Sequence, residues 1–308
     1  VLADGSRTTV RPISMRELEA KKSKQTLEGK IYREIHSLIE QNSEAIEKAR
    51  PTVTKNSAGY PLWNVMDKKQ GTFDLGQLIT GSQGTLGLIT SARLKLVQLK
   101  EHRAMLVVFL SDMEIIPEVI RRVLKLSPES LESYDNHTWK LAVRFIPQII
   151  RQLGFAKMFA LGFAFIPEVA MAVSGGVPKL VLMAEFAEDS KEEAVEKAHE
   201  AQASLHGLHI STKIASSSSS ISKYWIIRRE SFSLLRKNLR GLYAAPFIDD
   251  IVVHPDDYPK FLPELNALLE KYHLLYTIAG HAGEGNFHII PLMDLGKAEN
   301  RKIILELQ

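Results

Sequence analysis

The chain has 308 residues, of which 45% are hydrophobic and 24% charged, and its formal net charge is +3. This composition is typical of a globular protein long enough for two domains, and no basic cluster interleaved with aromatic residues indicates a nucleic-acid partner. The chain has no cysteine, which excludes disulfides, Cys-ligated zinc and iron–sulfur clusters held by these residues and makes a reducing compartment, the cytoplasm, the expected location.

The first hundred residues contain a helical segment, two loops and a predicted strand. Residues 12 to 48 are rich in Lys, Glu, Gln and Leu with apolar residues at helical spacing, which predicts surface helices. Small residues and glycines crowd together at residues 55 to 60 (K-N-S-A-G-Y) and 81 to 87 (G-S-Q-G-T-L-G), which predicts loops that allow close approach. The alternation at residues 86 to 96 predicts a strand.

A different rhythm begins near Glu101, so we place a domain boundary between residues 1–99 and 100–308. In the second part, strand-like runs alternate with amphipathic helical patterns, which predicts an α+β domain with helices on one face of a mainly antiparallel sheet. The serine-rich run at residues 215–222 is predicted to be a mobile loop. The predicted strands are residues 104–110, 180–186, 251–253 and 274–279, and the predicted helices are residues 113–126, 191–205 and 261–272.

A helical insertion is predicted at about residues 130 to 175. Its apolar runs are interrupted by charged residues and by Pro147 and Pro167, so it lacks the roughly 20 uninterrupted apolar residues that cross a bilayer. Two interpretations stay open, namely helices that cover a substrate pocket and a surface that rests on a membrane or a partner. The second would place the protein at the inner face of the membrane as a peripheral protein.

Residues 280 to 288 (G-H-A-G-E-G-N-F-H) form the most informative motif. Its three glycines allow backbone conformations and close approaches that other residues resist. The predicted turn puts His281 before it and His288 on the returning strand, so the two imidazoles can point at one spot. Neutral imidazoles beside a carboxylate such as Glu284 suit a divalent metal, Zn²⁺ or Mn²⁺. A hairpin with two hydrogen-bonded histidines would have the same sequence.

Two further motifs have both a functional and a structural interpretation. In residues 225 to 231 (W-I-I-R-R-E-S), one buried arginine could hold a substrate carboxylate with two parallel hydrogen bonds, although a solvated helix start would contain the same residues. The two glycine-rich loops could cradle a pyrophosphate or ribityl chain, although ordinary turns also fit. Neither loop is a Walker motif or a G-x-G-x-x-G turn, which argues against ATP and NAD.

Five segments in this order resemble the FAD-linked oxidases of the D-lactate, glycolate and D-2-hydroxyglutarate dehydrogenase family: K-N-S-A-G-Y, I-T-G-S-Q-G-T-L-G-L-I-T, W-I-I-R-R-E-S, D-D-I-V-V-H-P and G-H-A-G-E-G-N-F-H. The resemblance covers nearly the whole chain and implies a vanillyl-alcohol-oxidase-type fold. Residues 1–99 would be the second half of a two-part, PCMH-type FAD-binding domain, and residues 100–308 the substrate-binding cap domain.

The resemblance also implies an activity and site residues. The activity is transfer of a hydride from the α-carbon of a D-2-hydroxy acid to FAD, with a quinone, cytochrome or electron-transfer protein as the later acceptor. The predicted catalytic residues are Arg228, which would grip the substrate carboxylate, and His281 and His288, which would bind a divalent metal or supply the base. The residues predicted to lie along the flavin are Asn56, Gly59, Gly81, Ser82, Gly84, Thr85, Gly87 and Ile89.

The sequence departs from the family pattern in several places. An early glycine-rich loop for the FAD pyrophosphate and a later S-G-E-H-G-type segment with a third metal ligand do not occur, and both ends read as truncated. This chain alone is therefore expected to bind FAD and metal poorly and to be inactive. Gln83 stands where Glu is common, and Ile290 stands where the 2-hydroxyglutarate type often has Asn. The second departure favours a lactate-like or otherwise unassigned substrate.

Two other functions are consistent with the same motifs. A related flavin oxidase of an alditol, an aromatic alcohol or an ether-lipid precursor would need neither a carboxylate-binding arginine nor two metal-binding histidines. A non-catalytic subunit of a multi-protein oxidase complex would keep the fold for assembly.

Overall fold

A computed structural model describes residues 1–53, 55–56, 59–138, 178–238, 241–245 and 247–307. The chain divides into two compact units, Val1–Val97 and Gln98–Gln308. The assignment of these units to a flavin domain and a substrate domain stays a prediction.

The first unit contains four α-helices and a small antiparallel sheet whose strand order is β1-β3-β2. Ser14 and Glu17 form a capping box that starts the first helix. The second helix buries Tyr32 and Ile39 against Phe73 and its neighbours in one apolar cluster. The elements are β1 (Ile13–Ser14), α1 (Met15–Lys22), α2 (Leu27–Gln41), α3 (Ser43–Ala49), β2 (Met66–Asp67), β3 (Thr72–Phe73) and α4 (Gly76–Ile79).

The strand predicted at residues 86 to 96 does not form, so that prediction was wrong. Leu88, Leu94 and Leu96 are 69%, 77% and 87% exposed. A strand needs a neighbouring strand for its backbone groups, and the described part of this segment exchanges backbone hydrogen bonds only between Leu88 and Val1. Alternation alone therefore did not produce a strand.

The second unit is built on an eight-stranded sheet in which every described pair is antiparallel. The strand order is β7-β4-β6-β5-β10-β11-β8, with β9 also paired to β11. The predicted α+β class and antiparallel sheet are confirmed. The strands are β4 (His102–Leu110), β5 (Ser130–Asp135), β6 (Leu180–Glu188), β7 (Ser211–Ala215), β8 (Tyr243–Ala244), β9 (Asp250–Val252), β10 (Leu275–His281) and β11 (Asn286–Met293).

Helices cover both faces of this sheet, not one face as predicted. Helices α5 (Ile116–Leu124), α6 (Lys191–Ser204) and α8 (Tyr258–Lys271) pack on one face. Helix α7 (Ser218–Asn238) packs on the other, over Met105, Tyr134 and Met183, and α9 (Ala298–Leu307) follows β11. Because β4 is buried on both sides from Ala104 onward, it needs a cover on both faces.

Two segment predictions are corrected by the sheet. The insertion expected from residue 130 cannot begin there, because β5 lies between β6 and β10. The sequence of β5 (S-L-E-S-Y-D) is largely polar and was not recognised as a strand. In this strand, Leu131 faces the apolar cluster beneath α5, α6 and α8, and Tyr134 faces the cluster beneath α7. Residues 139–175 lie outside the described residues.

The serine run at residues 215–222 is not a loop throughout, because Ala215 ends β7 and Ser218 begins α7. Ser217 Oγ accepts a hydrogen bond from Ser220 N at 3.2 Å at the start of this helix.

Among the helices in the described parts of the chain, none has both the length and the apolar character needed to cross a membrane.

Candidate active site

The candidate site lies on the sheet face that carries α7. The β5–β10 register pairs Ala279 with Tyr134, and its next same-face pair sets His281 opposite Glu132. On the other side of β10, Ala279 pairs with His288 of β11. Since alternate strand residues share a face, Glu132, His281 and His288 point to the same side of three neighbouring strands.

The glycines of the β10–β11 turn pack against the protein itself. A Cβ on Gly280 would lie 2.1 Å from the Asn286 carbonyl oxygen, and one on Gly285 would lie 2.2 Å from the Val253 carbonyl oxygen. Gly285 also has φ +79°, a conformation that favours glycine. The close approach expected from the motif is therefore made at least in part by neighbouring backbone.

Tyr258 supports this turn from the opposite face of the sheet. Its hydroxyl donates to the Ala282 carbonyl oxygen at 2.8 Å. Burial raises the pKa of the Tyr258 phenol, so the group stays protonated and remains a donor. The turn that carries His281 is thus fixed by α8 as well as by its own glycines.

Glu132 is the centre of the arrangement and was not found from the sequence. It is 5% exposed. Its Oε1 lies 2.7 Å from His281 Nδ1, and its Oε2 forms an ion pair with Arg228 Nη2 at 2.5 Å. The one signal available was a charged residue between Leu131 and Tyr134, but that segment was not recognised as a strand.

Arg228 lies within α7, so the interpretation as a solvated helix start is wrong. Its side chain is 16% exposed. Its Nε is enclosed and has no hydrogen-bond partner among the described residues. A buried donor without a partner is destabilising, and an anionic ligand beside the guanidinium would satisfy it. Arg228 therefore has the chemistry of a carboxylate-binding group.

His288 has acidic neighbours on its other side. Its Nδ1 lies 3.5 Å from Asp250 Oδ1 and 3.6 Å from Asp249 Oδ1. Asn286 donates to Asp250 Oδ1 at 2.9 Å, which holds that carboxylate in place. The His281 and His288 rings lie 5.6 Å apart between centroids and are nearly perpendicular. The structure thus brings the two predicted histidines together.

A divalent metal is partly accommodated by these residues. Both histidines have Nδ1 toward a carboxylate, the arrangement that leaves Nε2 as the ligand atom. Glu132 is already engaged by His281 and Arg228, and Glu284 is exposed. Within the described ranges, no three His, Asp or Glu side chains are grouped to hold a metal. A metal here would take two imidazoles, with its other ligands from elsewhere.

The predicted flavin residues lie in the first unit, where the two loops meet. Thr85 Oγ1 donates to the Ser82 carbonyl oxygen and lies 2.6 Å from the Tyr60 hydroxyl, which acts as the donor to it. A Cβ on Gly81 or Gly84 would meet nothing within 4 Å. Both glycines have positive φ, as does Gln83 between them at +51°, so the loop is held in a conformation that leaves room beside it.

Of the predicted flavin residues, Ser82 is buried, whereas most of the others are at the surface. Asn56, Gly59 and Ile89 are exposed, and a Cβ on Gly59 would likewise meet nothing within 4 Å. Gly87 is tighter, because a Cβ there would lie 3.0 Å from the Val1 carbonyl oxygen. Open, glycine-lined loops of this kind fit a cofactor that runs along backbone N–H groups.

Residues 99–307 match the family described as FAD linked oxidases, C-terminal domain. The chain is 25% identical over 304 residues to a D-2-hydroxyglutarate dehydrogenase of Pseudomonas putida, which covers 96% of this chain and 28% of that protein. It is 24% identical over 248 residues to a D-lactate dehydrogenase of Anaerostipes hadrus, which covers 79% and 45%. The chain therefore spans less than half the length of either relative.

A solved structure has a similar fold. Alkyldihydroxyacetonephosphate synthase superposes with a TM-score of 0.51 at 14% identity, over 77% of this chain and 46% of that chain. At this identity the likeness shows the fold alone.

The family matches more than half of the chain, and the resemblance seen in the five motifs is confirmed. FAD is the cofactor that this family implies. The chain belongs to the FAD-linked oxidases, a family related to the 2-hydroxy-acid dehydrogenases.

Proposed function

We propose that this chain forms the substrate-binding part of an FAD-dependent dehydrogenase that oxidises a D-2-hydroxy acid, with a D-lactate-like acid as the preferred substrate. The observation that carries the proposal is the convergence of Arg228 and His281 on the buried Glu132, with His288 beside them. A cation for a carboxylate and an imidazole for a hydroxyl proton are the two groups that oxidation of a hydroxy acid needs.

Each side chain has a definite task in this reaction. Arg228 binds the substrate carboxylate and so fixes the position of the neighbouring α-carbon. His281 or His288 accepts the hydroxyl proton as the α-carbon loses its hydride. When bound, FAD supplies the acceptor for that hydride. The products are a 2-oxo acid, a protonated histidine and the reduced cofactor, so atoms and electrons balance.

A metal would be held by His281 and His288. Such an ion would supply Lewis acidity, which would make the substrate hydroxyl easier to deprotonate. The proposed ion is Zn²⁺ or Mn²⁺, and either histidine is a candidate for the base.

The preference for a lactate-like acid rests on Ile290. This residue is two positions after His288 on β11, so it shares the face of the site. It is partly buried, and its apolar side chain offers nothing to a second substrate carboxylate, whereas a methyl group would fit against it. A short acid with one carboxylate is therefore favoured over 2-hydroxyglutarate.

The test uses the full-length protein with its flavin bound, because this chain alone is expected to be inactive, and an artificial dye as electron acceptor. Dye reduction should occur with D-lactate and more slowly with D-2-hydroxyglutarate, while L-lactate serves as the control of matched size and charge. A quinone, cytochrome or electron-transfer protein as acceptor is a further part of the proposal, and the dye measures turnover without it.

Two results would overturn the proposal. No dye reduction with D-lactate, glycolate or D-2-hydroxyglutarate would exclude a hydroxy-acid dehydrogenase. Equal turnover of the matching alcohol, which lacks the carboxylate, would favour an alcohol oxidase instead and would remove the role given to Arg228.

A further inference from the structure

The buried carboxylate of Glu132 has a defined environment on each of its oxygens. The residue lies in the interior strand β5, opposite Met183 of β6. An ionised carboxylate in such a position is strongly disfavoured unless it is paired. Both partners come from other elements, His281 from β10 and Arg228 from α7. Glu132 therefore connects the end of β10 to α7, two elements that are not adjacent in the sequence.

The contact with Glu132 determines which nitrogen of His281 carries the hydrogen. An ionised carboxylate has only acceptor atoms. His281 Nδ1, at 2.7 Å from Oε1, must therefore be the donor. In the neutral ring, Nε2 is then the atom with the free lone pair. His281 also keeps a third of its side chain exposed, so the ring is reachable from outside.

We propose that Glu132 is a positioning residue that fixes His281 in the Nδ1–H tautomer and holds the Arg228 guanidinium beside it. Nε2 of His281 is thereby the atom that faces a hydroxyl proton or a metal. The use made of Nε2 rests on the proposed function, whereas the tautomer itself does not.

The amide variant Glu132→Gln gives a sharp expectation. Arg228 has only donors, so the amide oxygen will turn toward it. The amide NH₂ then faces His281 Nδ1, which has to become the acceptor. The histidine tautomer should therefore invert in this variant without a change in side-chain size.

Glu185→Gln is the matched control. Glu185 is also buried on this sheet face, and it too has one arginine and one ring N–H as partners, Arg103 and the indole of Trp225 at 2.8 Å. Its partners do not include either histidine of the site. The His281 tautomer should be the same in this control as in the unaltered protein.

The measurement is the ¹⁵N NMR spectrum of histidine-labelled, chelator-treated protein at about pH 8, above the ordinary histidine pKa. The His281 signals are identified with a His281→Gln variant. We expect Nδ1–H in the unaltered protein and in Glu185→Gln, and Nε2–H in Glu132→Gln. An Nε2–H tautomer in the unaltered protein would overturn the proposal even if no variant folds. So would an unchanged tautomer in Glu132→Gln.

Kinetics with D-lactate and a dye form the second readout. Loss of the carboxylate that accepts the Nδ1 hydrogen of His281 should lower kcat by about ten- to a hundredfold. KM should not rise, because Arg228 keeps its charge and loses a competing anion. A rise in KM with an unchanged kcat would also contradict the positioning role. If the unaltered protein turns over no hydroxy acid while the tautomers behave as expected, the proposed function fails and the tautomer assignment stands.

Discussion

Glu132 Oε2 and Arg228 Nη2 lie 2.5 Å apart, with both side chains largely removed from solvent. Such a pair is a weak source of net stability, because both ions lose their hydration, but removing one partner leaves the other charge buried alone. The effect of substituting one residue on the free energy of unfolding should therefore depend strongly on whether the other is present.

We expect Arg228→Met to lower the free energy of unfolding by about 3–5 kcal/mol, because Glu132 then keeps its charge without a cation. The double variant Glu132→Gln with Arg228→Met should lose clearly less than the sum of the single variants, since neither charge remains. Urea unfolding of the four proteins measures this coupling. Losses that add to within roughly 0.5 kcal/mol would show that the pair is not coupled.

The neighbouring arginines of α7 provide a matched test of carboxylate binding. Arg228→Lys should lower kcat/KM for D-lactate about ten- to a hundredfold, because an ammonium cannot replace the planar fork and about 1.5–3 kcal/mol of transition-state binding is lost. Arg229→Lys should stay near the unaltered value, since Arg229 is exposed and lies over the Trp225 ring, 4.7 Å from its centroid. Steady-state kinetics decide this, and equal effects of the two changes would remove Arg228 from the substrate site.

The histidine pair was predictable because its determinants are local. His288 follows His281 by seven positions, with Gly283 and Gly285 between them, so a hairpin alone brings their rings near each other. Arg228 was also found, but its burial stayed one of two interpretations, because the serine run before it gave no sign that a long helix begins there. Local pattern therefore identified residue types better than it identified their environment.

Glu132 could not be found in the same way. Its hydrogen-bond partner His281 is 149 residues away in sequence, and the contact exists only because β5 and β10 are neighbours in the sheet. The segment 86 to 96 illustrates the opposite error, since a strand-like pattern without a partner strand stays exposed. Both failures concern pairing between distant segments, which alternation in one segment does not determine.

A comparison of alanine substitutions at Gly285 and Gly207 distinguishes the cost of a positive φ from the cost of steric overlap at the β10–β11 turn. Both have positive φ, +79° and +86°, but only at Gly285 would a Cβ meet backbone, the Val253 carbonyl oxygen. Gly207→Ala should lower the free energy of unfolding by about 1–2 kcal/mol through backbone strain alone. Gly285→Ala should lower it by roughly 1–3 kcal/mol more and should also reduce turnover, because the turn carries His281. Chemical unfolding of both variants tests this, and equal losses would contradict the packing seen at Gly285.

Metal content tests the histidine pair directly, with His254 as the control. His288→Asn removes one of two imidazoles that lie close together, whereas His254 is an exposed histidine with its own carboxylate neighbour, Asp256, at 3.5 Å. After equilibrium dialysis against buffer that contains Zn²⁺ or Mn²⁺, we expect the unaltered protein and His254→Asn to hold equal amounts of weakly bound metal, because two converging imidazoles bind more strongly than one. His288→Asn should lose it, as measured by elemental analysis. If His288→Asn retained as much metal as the unaltered protein, the ion would be bound elsewhere, and the base role would be the one left for His288 in hydroxy-acid oxidation.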